Sequence, residues 1–320
     1  MLAAKRGAGR EDSMIPVTYD DPDYQRQLDA LPTDGVSIFT LENDAIRGAL
    51  VSGTRLVAQM ALSHRLGPLE TLVLGQAYLA AGLLSVTIKG QDRLMLRVQS
   101  QGPSAGYSVE CNAVGQVRGR LFNQPFELER PLEALDTALL LGSGFLSITR
   151  HQAGRSQPFT GTVALRSGRL AEDLAWYYHE SEQTNTAFTL GLHFDRAGRV
   201  IGAGGLYLQA LPFAAADALE RVERLVYSLP QLGAAFAGGS GRADIMLRMF
   251  PFFDLNMLEE RPLAFHCPCD KARLGGFLKA LSTAERAQMR EYGPFPVEVA
   301  CHNCGSVYSF DQAELALLLA

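Results

Sequence analysis

The 320-residue chain has no excess of positive charge: 29 Lys and Arg face 34 Asp and Glu, a formal net charge of −5. Without a basic field, nucleic acid is disfavoured as the main partner. Long apolar runs are missing as well. The most apolar stretch, Tyr78 to Val86, is shorter than the ~20 residues of a membrane-spanning helix and soon meets Lys89, Asp92 and Arg93. Lys5, Arg6 and Arg10 are followed by no apolar segment, so a cleaved leader is not expected. Residues 1–13, rich in Ala, Gly and Arg, are expected to be disordered, with Met14 an alternative start. Neither H-E-x-x-H nor G-x-x-x-x-G-K-[ST] occurs, and Gly202-Ala203-Gly204-Gly205 precedes no helical pattern that would make it a phosphate cradle. ATP use has no support, and the chain is expected not to be an enzyme.

Cysteine is scarce: five residues, too few for a secreted disulfide framework in a chain of this length, and spaced in a way that fits a reducing cytoplasm. Four of them gather near the C-terminus as His266-Cys267-Pro268-Cys269 and, after 31 intervening residues, Cys301-His302-Asn303-Cys304. A close pair lets two thiolates reach one ion from a single turn, and two pairs complete a tetrahedral S4 site suited to zinc. Such a site leaves no position for an activated water, which argues against a zinc hydrolase. His266 and His302 are expected to be exposed neighbours, while Lys271 and Arg273 are the nearby cations expected to offset the thiolate charge. The same sulfurs ligate when reduced and pair when oxidised, so a structural site and a redox switch both remain open. A thioredoxin-like role for Cys301 and Cys304 needs a helix N-terminus, whereas the pair falls in a predicted β-turn. The fifth cysteine, Cys111, occupies an inward position of a predicted strand and reads as a small buried hydrophobe.

The patterning predicts an α+β fold: an N-terminal mixed sheet and helix domain, a helical linker and a small C-terminal zinc-binding domain. The expected divisions are an extension over 1–34, a core over 35–210, a metastable linker over 211–262 and the cysteine-bearing unit over 263–320. Strands are predicted at Gly35 to Phe39 and, as a strand or a helix entry, Ile46 to Val51. Helices follow from Thr54 to Leu66 and Leu69 to Ile88; the second is apolar nearly all round and should lie deep in the core. From Arg93 the period becomes alternating, and strands follow to Val117, then at Gly144 to Thr149 and Gly161 to Leu165. Leu170 to Ser181 reads as a helix, and Ala187 to Asp195 with Val200 to Gln209 as a hairpin. Near the C-terminus, helices are expected at Lys271 to Leu281 and Thr283 to Glu291. A hairpin of Val297 to Ala300 with Val307 to Phe310 and a last helix from Gln312 close the chain. Gly305 suits a turn that needs φ > 0.

Between these parts, residues 214–228 read as an amphipathic helix, Gly233 to Gly241 as a flexible joint, and Asp244 to Met249 as a short helix before Phe250-Pro251-Phe252-Phe253. One reading packs two helices on the core. The other makes the segment a marginally stable connector that detaches and shows Met246, Met249, Phe250, Phe252, Phe253 and Met257 to partners.

Several ordered motifs resemble one family, the redox-regulated heat-shock holdases or 33 kDa chaperonins. They include Leu74-Gly75-Gln76-Ala77, Ile88-Lys89-Gly90, Gly102-Pro103 and Gly115-Gln116-Val117-Arg118-Gly119. Gly161-Thr162-Val163, Ala171-Glu172-Asp173-Leu174-Ala175, Ser181-Glu182-Gln183-Thr184 and Ala203-Gly204-Gly205 continue the series up to the C-x-C and C-x-x-C pairs. The resemblance covers about Ile46 to the end; the extended N-terminus, the Gly238 to Gly241 insertion and Gly293-Pro294-Phe295-Pro296 depart from it. It implies that Cys267, Cys269, Cys301 and Cys304 hold one Zn2+ per chain in the reduced, inactive protein. Oxidation then pairs Cys267 with Cys269 and Cys301 with Cys304, the small domain and linker unfold, and unfolding client proteins are held without ATP, often by a homodimer. A C-x-C disulfide closes a very small ring and should be easily reduced, which makes such a switch reversible. The resemblance points to a cytoplasmic holdase chaperone without nucleic-acid or membrane partners. A zinc ribbon serving only as an interaction module is the rival, and it requires a basic, aromatic-bearing face near the metal.

Overall fold

A helix over Pro68–Leu84 carries a single charged residue, Glu70, so it needs apolar neighbours on every side. It finds them between two sheets. The computed structural model describes residues 4–6, 14–128, 135–215, 220–222, 224–226 and 229–319. The chain begins with β1 (Ala4–Arg6), β2 (Val17–Tyr19) and α1 (Pro22–Ala30), then β3 (Gly35–Leu41), β4 (Ile46–Ser52), α2 (Thr54–His64) and α3 (Pro68–Leu84). Next come β5 (Arg93–Ser100), β6 (Gly106–Asn112), β7 (Gln116–Leu121), α4 (Ala138–Leu141), β8 (Gly144–His151), β9 (Phe159–Ala164), α5 (Leu170–Ser181), β10 (Thr186–Phe194) and β11 (Val200–Ala210). The remainder holds α6 (Leu232–Ala237), α7 (Arg242–Met249), β12 (Leu255–Pro262) and β13 (Ala264–Phe265). It ends with α8 (Lys271–Lys279), α9 (Thr283–Tyr292), β14 (Val297–Ala300), β15 (Val307–Phe310) and α10 (Gln312–Leu318).

One sheet has the order β10-β11-β4-β3-β12 and the other β13-β7-β6-β5-β8-β9, while β14 pairs with β15 and β1 with β2. The period-two pattern places Leu94, Leu96, Val98, Val109 and Cys111 on the inner face of the second sheet, against α3. Small residues let α3 approach: a Cβ on Gly75 would lie 2.7 Å from Leu192 Cδ2, and one on Gly82 would lie 3.2 Å from Leu263. With its 3-10 extension to Thr87, this helix is long and apolar enough to cross a bilayer, but 83% of that window is buried inside the protein. The α+β class expected from the sequence is the class observed.

The other face of the first sheet carries the segment that follows β11. Phe39, Leu41, Ile46, Leu50, Leu206 and Leu208 point away from α3 and are covered by Leu232 and Phe236 of α6 and Ile245, Met246 and Met249 of α7. The glycines of β11 are the floor for α6: the Phe236 ring would meet a Cβ on Gly204 at 2.2 Å, and Gly233 O one on Gly202 at 2.0 Å. That close approach is why a strand carries glycines at these positions.

Three local expectations change. The joint predicted over Gly233 to Gly241 is helical up to Ala237, because Leu232 and Phe236 find a buried surface. The last part of the predicted helical linker, Leu255–Pro262, is an edge strand paired antiparallel with β3. Within the N-terminal stretch expected to be disordered, Ala4–Arg6 pairs with Val17–Tyr19; its other residues lie outside the described ones. Of the predicted helix 214–228, residues 220–222 and 224–226 are helical, while 216–219, 223, 227 and 228 lie outside the described residues.

Candidate metal centre

The turn between β14 and β15 brings Cys301 and Cys304 to one side. The Cys301 N–H donates to Ser306 O at 2.8 Å, and the Gly305 N–H donates back to Cys301 O at 2.8 Å. Gly305 has φ of 70°, as the turn demands. Cys267 and Cys269 follow directly on β13, and Asp270 then caps α8 by accepting from the Arg273 N–H at 2.6 Å. Capping boxes Ser282/Glu285 and Asp311/Glu314 start α9 and α10.

The four sulfurs are buried and all lie within 4.8 Å of one another, the one such cluster among the described residues. Cys267 and Cys301 Sγ stand 3.8 Å apart and Cys269 and Cys304 Sγ 3.3 Å apart. An ion bonded at about 2.3 Å to four sulfurs in a regular tetrahedron requires edges of about 3.8 Å, so the donor set fits a tetrahedral thiophilic metal. Hydrogen bonds among the thiols set them apart: that with Cys269 lowers Cys267 to about 6 and that with Cys267 lowers Cys301, whereas Cys269 and Cys304 are pushed up. Four anions do not coexist there without a cation.

Lys271 and Arg273, the cations near in sequence, have contacts of their own. Lys271 pairs with Glu314 and sits 5.3 Å over the Phe310 ring, and Arg273 donates to Pro268 O at 3.3 Å. A cation also reaches the sulfurs from β7. Arg118 Nη1 donates to Cys267 Sγ at 3.7 Å while Nη2 contacts both Glu110 carboxylate oxygens at 3.1 Å. Arg118 lies 149 positions from Cys267, so only its place in the Gly115 to Gly119 motif hinted at a role. His302 is exposed and His266 half-buried, and neither joins the cluster.

The centre is docked on the core. The Gly119 N–H donates to Asn303 O at 3.3 Å, His64 Nε2 lies 3.3 Å from the same oxygen, and Tyr78 Oη donates to Gly119 O at 3.0 Å. Burial holds His64 below its ordinary pKa. β13 pairs in parallel with β7, and Phe265 packs against Tyr78 and His64 at ring-centroid distances of 6.1 and 6.4 Å. Beside this contact a cleft of about 470 Å³ is lined by His64, Arg65, Arg120, Phe122, Cys301 and His302.

A model of the family described as Hsp33 protein matches residues 34–311. The chain belongs to the Hsp33 family. Hsp33 relatives named 33 kDa chaperonin include that of Desulforamulus reducens, 36% identical over 268 residues, covering 83% of this chain and 90% of the relative. That of Geobacter sulfurreducens is 33% identical over 285 residues, covering 88% and 93%. The solved structure of the Thermotoga maritima 33 kDa chaperonin, a heat shock protein 33 homologue, matches with a TM-score of 0.80 at 28% identity, covering 90% of this chain and 98% of that one. Members of the Hsp33 family are named chaperonins, not enzymes. Consistent with that, Gly102-Pro103-Ser104-Ala105-Gly106 has G-x-S-x-G spacing, but Ser104 is buried in the β5–β6 turn and its Oγ accepts from the Gly106 N–H. Cys111 is buried on β6, and burial pushes its thiol well up.

The apolar residues singled out in the linker divide in two. Met246, Met249 and Phe250 are buried under the first sheet's outer face, and Phe253 is partly buried. Phe252 is 93% exposed and Met257, on β12, 43% exposed.

Proposed function

We propose that this Hsp33-family chain is an ATP-independent holdase whose client surface is held shut by reduced, zinc-bound Cys267, Cys269, Cys301 and Cys304. The observation that carries this reading is a continuous run of chain. From Cys267 it passes through Phe265, wedged on Tyr78 and His64, into β12 on the edge of the first sheet, and on to α7 and α6 over that sheet's apolar face. Zinc held there neutralises two of four thiolate charges and crosslinks a small unit whose apolar core is Leu274, Leu278, Val297, Tyr308, Phe310 and Leu315, with no buried residue from α9. Structural zinc contributes about 10–16 kcal/mol in comparable small domains, more than a fold of this size gains from its core.

Oxidation by a peroxide or hypochlorous acid takes two electrons from each close pair. With hydrogen peroxide, two thiols per pair yield one disulfide and two waters, giving Cys267–Cys269 and Cys301–Cys304. This removes all four donors, and the turn over Asn303 loses its hold on β7. Release of the linker then uncovers Phe39, Leu41, Ile46, Leu50, Leu206 and Leu208 together with Met246, Met249 and Phe250, and adds them to Phe252, Phe253 and Met257. That surface binds unfolding proteins under oxidative stress and supports a homodimer of the oxidised form; the few, paired cysteines of the sequence support a reducing cytoplasm as its setting. Nucleic acid and membrane are not partners in this reading.

The test begins with the reduced protein: zinc and thiols are counted, peroxide is added, and aggregation of a heat-unfolded client is followed. Zinc release with no better suppression of aggregation than the reduced form refutes the holdase reading. Normal metal affinity in a Cys301→Ser/Cys304→Ser variant refutes the ligand set. Peptide mapping decides the pairing, because the shortest sulfur contacts run between the two close pairs. The rival interaction module draws on Arg97 and Arg120, stacked at 5.1 and 5.7 Å on Phe122 beside the Cys301 cleft. Salt-dependent binding of single-stranded nucleic acid by the reduced protein would favour it.

A further inference from the structure

The family match begins at residue 34, yet the segment before it reaches the sulfur site. Asp21 caps α1 by accepting from the Asp23 and Tyr24 N–H groups at 2.9 and 3.2 Å. Tyr24 and Leu28 are buried with Ala58 of α2, and Tyr24 Oη donates to Val200 O at 2.7 Å. Arg199 pairs with Asp21 and lies 4.6 Å over the Tyr24 ring. From α2, Arg55 donates to the Leu28, Asp29 and Leu31 carbonyls that end α1. α1 is therefore fastened along its length.

Ahead of it, the chain runs back toward the C-terminal turn. Tyr19 packs edge-on against Tyr24 at 5.0 Å. The Ile15 N–H donates to Ser306 Oγ at 3.1 Å, and Ser306, 4% exposed, has its Oγ 3.3 Å from Cys304 Sγ. Ile15 and Val17 close a gap of about 10 Å³ against Ser63, Gly305 and Ser306, at the lower limit of what holds one water. A serine hydroxyl has one donor and two acceptor positions. With Ile15 on one lone pair, the other faces the Cys304 thiol, and the hydroxyl proton is left to donate to that sulfur once it is a thiolate.

We propose that residues 14–33 are a strap in which the Ile15 N–H positions Ser306 against Cys304 and holds the Cys301 to Gly305 turn on the core. Docking of the strap sets how readily the sulfur site opens. This rests on the redox-switch reading above. Ser306 is a positioning residue, acting on the sulfur rather than on a client.

Two full-length variants test it. Ile15→Pro removes the N–H donor, and Tyr24→Ala loosens the far anchor, whose contacts do not include the sulfur turn. Gln25→Ala, on α1 with its side chain bonded to Asp29 of the same helix, is the control. In reduced protein loaded with cobalt(II), the thiolate charge-transfer band is expected to shift in Ile15→Pro and not in Gln25→Ala. On peroxide addition both test variants should release metal about fivefold faster than wild type, the factor set by one hydrogen bond of ordinary net strength. Faster amide exchange at Gly305 and Ser306 should accompany this. An unshifted cobalt band in Ile15→Pro with metal release within about twofold of wild type in both variants, under the same hydrogen-bond scale, overturns the strap. Wild type that keeps its metal under peroxide defeats the redox reading instead, and the cobalt band still tests the positioning of Ser306.

Discussion

Removing Arg118 should weaken the metal site from the far side of the fold. Four thiolates and one divalent ion would leave a net charge of −2, and Arg118, donating to Cys267 from β7, is a cation that faces it. Burial works against the guanidinium's charge, but Cys267 and Glu110 outweigh it and hold the pKa above the ordinary arginine value. The side chains of Arg118 and Glu110 are 14% and 24% exposed. Breaking a fully buried pair costs roughly 3–5 kcal/mol. Here Glu110 keeps solvent and a second partner, Arg93 at 3.8 Å, so the loss in Arg118→Ala should be about 1.4–2.8 kcal/mol. That corresponds to about 10–100-fold in metal affinity, the usual range for groups that support a metal ligand. Arg118→Lys keeps the charge without the forked geometry and should fall between. Competition for zinc with a chromophoric chelator measures the affinity, and near-ultraviolet circular dichroism checks the core. An Arg118→Ala affinity within about threefold of wild type would refute the reasoning, since the charge argument demands at least a factor of about ten.

Asp34, whose carboxylate accepts from the Leu56 N–H at 2.7 Å, has its pKa pushed up to about 7 by burial. Between its ordinary value of 3.8 and about 7 the folded protein holds a proton that the unfolded chain has lost, so stability falls as pH rises through that window. Asp34→Asn should remove this component, at most about 4 kcal/mol, from urea unfolding curves taken between about pH 4.5 and 8; parallel curves for the two proteins would count against it. A Cβ at Gly305 would lie 2.3 Å from Ser63 O with φ at 70°, so Gly305→Ala should undock the sulfur turn. Amide exchange at Gly119, which donates to Asn303, should quicken while α3 stays protected; unchanged Gly119 exchange would contradict this. In the metal-free, reduced protein, Cys111 should resist a thiol reagent until global unfolding while the other four react, because burial holds its thiol protonated. Reaction of all five at one rate would show otherwise.

Much of the fold was legible because its signals are local. Leu170–Ser181 has a helical period, and the hairpin strands Val297–Ala300 and Val307–Phe310 are separated by a turn-forming stretch that ends in Gly305. β12 was not legible. Its sequence, Leu-Asn-Met-Leu-Glu-Glu-Arg-Pro, lacks apolar alternation and stays mostly exposed; backbone pairing with β3 makes it a strand. α6 was hidden by its glycine and alanine content, since its stability comes from Leu232 and Phe236 against β10 and β11, far away in sequence. Arg118 was hidden for the same reason: it is remote in sequence from the cysteines, and the sheet delivers it to Cys267.

The sequence by itself determined the candidate donor set, the closed coordination it permits, the inward face of each regular strand and the buried character of α3. These follow from side-chain chemistry and from periods of two and 3.6 residues. Tertiary structure alone decided that the sulfur turn rests on Gly119 and His64, that Arg118 reaches Cys267, and that Met246, Met249 and Phe250 are buried over the first sheet. Each of those contacts joins residues many positions apart. Their energies come from desolvation and from opposing surfaces, which no local stretch of sequence contains.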